Sequence, residues 1–214
     1  GNAMMSLGLK RVKPSPIFQV EIMMRRSLPM FIQTEETPNP ATLKFLPGRV
    51  VMERGTADFD AADKAARSPL AESLFRIEGV ARVFLGSDFI TVTKTDAKDW
   101  PVLKPQILGL IMEHFSTNRP VILAEGTEGA GGAAADSEDD EIVTQIKELL
   151  DTRVRPAVAQ DGGDIIFHSF EDGVVYLHMQ GSCSGCPSST ATLKMGIENM
   201  LRHYVPEVVE VRPV

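Results

Sequence analysis

The sequence predicts an α+β protein of two small sandwich-like domains, each with helices laid on one face of a sheet. Three observations carry that prediction. Residues 30–123 and 141–214 each mix short alternating apolar runs with runs of helical period. Between them, residues 124–140 carry four glycines, five alanines and six acids, the composition of a flexible tether. The 214-residue chain is 43% hydrophobic, enough for two small cores.

Residues 1–29 stand apart. Gly1, Asn2 and Ala3 read as a scar of tag removal. Residues 4–29 hold Lys10, Arg11, Lys13, Arg25 and Arg26 against Glu21 alone, with three prolines and no sustained periodicity. They read as an upstream extension, with Met30 as the natural start and a bacterial cytoplasm as the compartment. The alternative is an organellar transit peptide, which would place the protein in the mitochondrial matrix.

From residue 30 the elements follow in order. Phe31 to Glu35 and Thr42 to Leu46 read as strands, separated by the turn-forming run Thr37-Pro38-Asn39-Pro40. Ser68 as N-cap and Pro69 as first residue open a short helix through Phe75, and Gly79 closes that segment. Val80 to Leu85 and Phe89 to Thr93 pair as a hairpin turning at Gly86, Ser87 and Asp88. A longer helix starts at Asp99 or Trp100, with Ile107 at the centre of its apolar stripe. Asp58, Asp60 and Asp63 read as solvated surface, and this domain offers no catalytic constellation.

In the second domain Ile142, Ile146, Leu149 or Leu150, and Val154 mark an amphipathic helix that stops before Pro156. Asp161-Gly162-Gly163-Asp164 makes a tight turn. On a sharper reading, this turn packs beside the cysteine loop and shapes the surface a recipient meets. Ile165 to Phe170 and Val174 to Met179 form a hairpin. A helix follows, carrying Leu193, Ile197, Met200 or Leu201, and Tyr204 up to Pro206, and Val208 to Val211 is a last strand. The order is α-β-β-α-β, with the cysteines at the rim of a small mixed sheet.

The chemistry concentrates in Gly181-Ser182-Cys183-Ser184-Gly185-Cys186-Pro187-Ser188-Ser189-Thr190, which holds both cysteines of the chain. Two thiols at this spacing can grip one metal centre or close one disulfide. Pro187 suits a first helical position, so Cys186 sits at a helix N-terminus, where the dipole favours a thiolate. A cluster or a structural zinc takes four protein ligands, and this chain supplies two sulfurs. His114, His168, His178 and His203 are not at ligand spacing from them. Two copies of the chain would complete the set. Lys194 can balance charge at such a site or stand solvated.

Charge narrows the partners. The net charge is −7, and residues 136–214 hold 14 acids against 6 bases. That excludes nucleic acid, whose binding needs a basic face. No apolar run approaches the ~20 residues of a membrane span.

Residues 141–214 resemble the C-terminal domain of the NifU family, the iron–sulfur scaffold and carrier proteins called Nfu. The resemblance rests on Arg155-Pro156, on Asp161 to Asp164 and on the cysteine run. Residues 30–123 resemble the Nfu N-terminal domain through Phe31-Ile32-Gln33-Thr34-Glu35-Glu36-Thr37-Pro38-Asn39-Pro40. The resemblance implies a non-enzymatic carrier of a [4Fe–4S] cluster bridged between two subunits. Cys183 and Cys186 of each copy would be the ligands. The implied partners are a second copy, upstream cluster-assembly proteins and recipient apo-proteins. A thiol–disulfide oxidoreductase and a zinc-bridged interaction module are the rival readings. The first lacks the strand–helix–strand frame of a thioredoxin-like pair, and four thiolates suit zinc as well as iron.

Overall fold

The computed structural model describes residues 31–123 and 139–214. The leader or extension at residues 1–29, Met30 and residues 124–138 of the tether expected over 124–140 lie outside the described residues, and the last two tether residues belong to a helix. The remainder, within Phe31–Val214, packs as one compact unit of two α+β regions.

The N-terminal region is a five-stranded antiparallel sheet. Its strands are β1 (Gln33–Glu36), β2 (Thr42–Leu46), β3 (Ala57–Phe59), β4 (Val80–Leu85) and β5 (Ile90–Lys94), in the order β1-β2-β5-β4-β3. Alternation sorts the side chains into two faces. Leu43, Phe45, Val83, Leu85, Ile90 and Val92 form one face, buried with helices α1 (Pro69–Phe75) and α2 (Trp100–Ser116). Helix α2 brings Leu103, Ile107, Ile111 and Phe115 to that core. The opposite face carries Asp58, Arg82, Phe84, Thr91, Thr93, Thr42 and Lys44, set side by side by the strand register.

Helix α1 starts where its cap chemistry dictates. The Ser68 hydroxyl accepts a hydrogen bond from the Ala71 N–H at 3.1 Å, and Pro69 takes the first turn. The same hydroxyl donates to the Val121 carbonyl at 2.6 Å, tying the segment after α2 to the start of α1.

Strand β3 and a 3₁₀ turn at Ala62–Arg67 are elements the sequence pattern does not signal, since three residues are too few for periodicity. They correct the reading of the aspartates. Asp58 lies on β3 with its side chain only 8% exposed, held in a two-point ion pair by Arg82 of β4. Asp60 does stand at the surface, paired with Lys64 one turn on.

The C-terminal region starts with α3 (Asp139–Leu149), which passes through a π turn at Leu150–Val154 into α4 (Arg155–Gln160). The helix therefore does not stop before Pro156, as expected from the proline rule. The π turn widens the backbone to i→i+5 spacing just ahead of the ring, and Pro156 falls in the first turn of α4, where no N–H is needed. Strands β6 (Gly163–Glu171) and β7 (Val174–Gly181) form an antiparallel hairpin, and β8 (Glu210–Pro213) joins β7 in parallel. Asp172 and Gly173, both at positive φ, make the hairpin turn. Helix α5 (Pro187–Tyr204) packs Ile197 and Leu201 against Ile146, Leu150, Val154, Val158, Val175, Leu177 and Val211.

Ser68→Ala removes the cap of α1 and leaves the Val121 carbonyl without its buried donor. We expect a loss of about 1–2 kcal/mol, read as a lower denaturant midpoint with an unchanged far-ultraviolet spectrum.

Candidate functional site

The site is built by the end of β7, the loop 182–186 and the first turn of α5. Gly181 leaves the strand at φ 62°, and a Cβ there would stand 2.6 Å from the Gly162 carbonyl oxygen. Only glycine lets the two backbones meet so closely. Gly185 also has positive φ, but open space surrounds it, so it serves the turn and not a close approach. The Ser184 N–H donates to Gly181 O at 3.1 Å, and the Thr190 hydroxyl donates to Cys183 O at 3.0 Å. The loop is thus tied at both ends.

The two cysteines sit differently. Cys186 is the N-cap residue of α5, half-buried, with its sulfur 3.3 Å from the Ser188 hydroxyl and Pro187 in the first helical turn. Cys183 is 6% exposed and belongs to the hydrophobic core of the C-terminal region. That differs from a rim position for both thiols. Its sulfur lies so close to Gly163 that a Cβ on that glycine would stand 2.4 Å away. Burial is the main cause that pushes the Cys183 thiol up to about 11, and nearby Asp161 and Asp164 push the same way. The Ser182 side chain opposes the shift only in part. In this conformation Cys183 is a neutral thiol at pH 7.

The Asp161–Asp164 turn is more than a strand entry. It packs directly on the cysteine loop, as the first half of the sharper reading expects. Ser182 N–H donates to Gly162 O at 3.2 Å, and the Ser182 hydroxyl donates to Asp161 O. Asp164 is fixed from α4. Arg155 donates to both of its carboxylate oxygens at 2.8 Å, and the Asp164 carboxylate accepts from the Ile165 N–H. The buried carboxylate holds the Arg155 guanidinium well above its ordinary pKa. The sequence run containing Arg155-Pro156 and the run Asp161 to Asp164 therefore meet as one clamp under the loop.

The N-terminal region reaches the same loop. Arg82 donates to the Ser184 hydroxyl at 2.9 Å, and the Asn39 amide lies 3.5 Å from the Ser184 carbonyl. A cavity of about 550 Å³ opens beside Cys183. Pro38, Val154, Val158, Leu193, Ile197 and Met200 give it a largely apolar wall.

Other side chains singled out in the sequence fall elsewhere. Lys194 pairs with Glu210 of β8 at 3.3 Å. His178 lies 3.0 Å from the Val214 carbonyl, and His203 packs edge-on to Tyr204. His114 is buried in α2, where burial holds its pKa below the usual value. Among the described residues, no third His, Cys, Asp or Glu joins the two cysteines in a metal-holding group. Arg82, Asn39 and Arg155 were missed as neighbours of the loop. Arg155-Pro156 was marked in the sequence, but the first two approach from another region and no local spacing announces them.

Two family models match the chain. Residues 32–118 match the one described as scaffold protein Nfu/NifU N terminal, and residues 146–212 match the NifU-like domain. The human protein named NFU1 iron–sulfur cluster scaffold homolog, mitochondrial, is 56% identical over 186 residues, covering 86% of this chain and 72% of its own length. NifU-like protein 4, mitochondrial, of Arabidopsis thaliana is 55% identical over 181 residues, covering 84% of this chain and 64% of its own. Among solved structures, the solution structure of a NifU-like protein from Saccharomyces cerevisiae aligns at TM-score 0.42 and 23% identity. It covers 57% of this chain and 100% of that one, a likeness too loose to bear on the site.

Two measurements test this geometry. Gly163→Ala places a methyl group against the Cys183 sulfur and, at 2.9 Å, the Gln180 carbonyl. A loss of about 1–3 kcal/mol is expected in thermal or denaturant unfolding, with the cysteine-loop amides exchanging faster. The raised Cys183 pKa sets a sign with pH. Above the ordinary thiol value of 9 the unfolded chain gives up a proton that the folded chain keeps, so the stability due to the neutral thiol is lost between pH 9 and about 11. Metal-free protein should lose more stability across that window than Cys183→Ser, by on the order of 2 kcal/mol. Equal losses would contradict a buried thiol.

Proposed function

The chain belongs to the Nfu/NifU-like family of iron–sulfur cluster scaffold proteins, and from that membership we propose that it carries a [4Fe–4S] cluster as cargo. Cys183 and Cys186 of two copies hold the cluster between them, and the dimer hands it on to apo-proteins. Upstream assembly proteins supply it. The protein is a carrier with no catalysed turnover of its own.

One observation supports this reading above the others. Two thiols share one short loop, and no further ligand from the described chain completes a set of four. The donor set fits the cargo in kind, since thiolates suit iron–sulfur clusters. It fits in number only when doubled. A cargo held by two ligands from each copy is released when the copies part or when a recipient's thiolates replace them. Four ligands from one chain would keep it.

The state of Cys183 adds a condition. The Cys183 thiol is buried beside an open cavity, and it gives up its proton when it ligates iron. Loading therefore releases protons.

Both relatives are named mitochondrial. Of the two compartments considered, their names favour the mitochondrial matrix over a bacterial cytoplasm. The domain reading follows the family: residues 30–123 dock onto a donor or recipient, and residues 141–214 hold the cluster.

Anaerobic reconstitution with iron and sulfide tests the proposal. The expected product is a brown dimer with about four irons and four sulfides per two chains. Cys183→Ser and Cys186→Ser should each lose the stable cluster and the dimer together. A single mutant that holds a full cluster overturns the ligand set. A colourless protein that takes up zinc instead overturns the cargo.

A further inference from the structure

The outer face of the N-terminal sheet is covered, although its composition suits water. Thr42, Lys44, Phe84 and Thr91 on that face are each less than 10% exposed. The helices lie on the other face, and the Asp161–Asp164 turn and the end of β7 cover this one. A Cβ on Gly162 would meet the Thr91 methyl at 2.6 Å, and a Cβ on Gly181 would meet the Phe84 ring at 3.0 Å. Lys44 donates to the Gln160 carbonyl at 2.9 Å, and Thr56 donates to the Asp164 carboxylate at 3.0 Å. At the rim, Arg82 and Asn39 engage Ser184, the residue directly after Cys183.

This contact is polar, and it is imperfect at its centre. The Thr91 hydroxyl is buried and makes no hydrogen bond. A buried hydroxyl without a partner weakens the closed contact, and water would satisfy it once the face opened. Contacts of this kind between regions of one chain are the ones that separate.

We propose that the outer face of the N-terminal sheet is a reversible cap on the cysteine loop, held by Arg82, Asn39, Thr56 and Lys44. In the closed chain Ser184 is occupied by the sheet, and that side of the loop is shut to a second copy. The cap lifts for the cluster to bridge two chains. The cap itself stands on the contacts above; its effect on loading rests on the carrier reading.

Thr91→Glu tests it. The new carboxylate stands opposite Lys44 on the neighbouring strand, which suits the N-terminal sheet. It also points a longer, negative group at the Asp161–Asp164 turn, which has no room for it. In reduced, metal-free full-length chain, the variant should show a larger radius of gyration by small-angle scattering. Its amides at 161–164 and 181–185 should exchange at least tenfold faster. Ser184→Ala, which removes one rim contact and no charge, should move exchange the same way by a smaller factor. If both variants keep the parent's scattering and exchange while their unfolding shows an intact fold, the cap is overturned. Cluster uptake then reads the consequence, with Thr91→Glu expected to load several-fold faster to the same iron content. Opening with unchanged uptake overturns the gating. Opening with no uptake in either chain strikes the carrier reading and leaves the cap standing.

Discussion

The structure of the site depends on one close approach, that of the Cys183 sulfur to the backbone at Gly163. No other residue type at 163 leaves space for the sulfur, and none but glycine at 181 lets the end of β7 lie against the start of β6. Everything around this contact serves to keep it. The Asp164 carboxylate is pinned by Arg155 from α4, and the Ser182 hydroxyl reaches back to Asp161. Cys183 is thereby held as a core residue. It shares one buried cluster with Val154, Val158 and Ile197.

Much of this could be read from the residues alone. The cap at Ser68, the hairpins at Gly86 and Gly173 and the helix after Pro187 are local devices, and local chemistry fixes them. The placing of Cys183 and Cys186 on one loop ahead of a helix is legible for the same reason. The features that were not legible depend on partners far away in sequence. Asp58 looked solvated because its neighbours are polar, yet Arg82 lies beside it across a strand. Cys183 looked like a rim residue because its loop is rich in serine and glycine. Its depth comes from the Asp161–Asp164 turn laid over it. Pro156 looked like a stop because the rule for α-helices ignores a π turn.

The sheet of the N-terminal region carries a second lesson. Alternation of Thr42, Lys44, Thr91 and Arg82 with apolar neighbours describes a sheet wet on one side. Here that side meets the C-terminal region, where Lys44 and Arg82 find partners, while Thr42 pairs with Thr93 inside the sheet and the Thr91 hydroxyl finds none. The two stretches that carry the family resemblance thus touch. Asn39, from the run beginning at Phe31, lies against Ser184 between the cysteines. A sequence comparison treats them as separate modules, while the folded chain joins them in one surface.

The π turn at Leu150–Val154 has a consequence for how this chain can vary. Such a turn holds about one residue more than an α turn, so the helix beyond it is rotated by roughly 100° about its axis. That rotation accompanies the aim of Arg155 at Asp164. Removing one residue there would restore a regular helix and swing the guanidinium away from its carboxylate. Between Ile146 and Arg155, then, an apolar exchange keeps this aim, whereas a change of length loses it. The segment behaves as a ruler, whose residue count sets where the Arg155 guanidinium arrives.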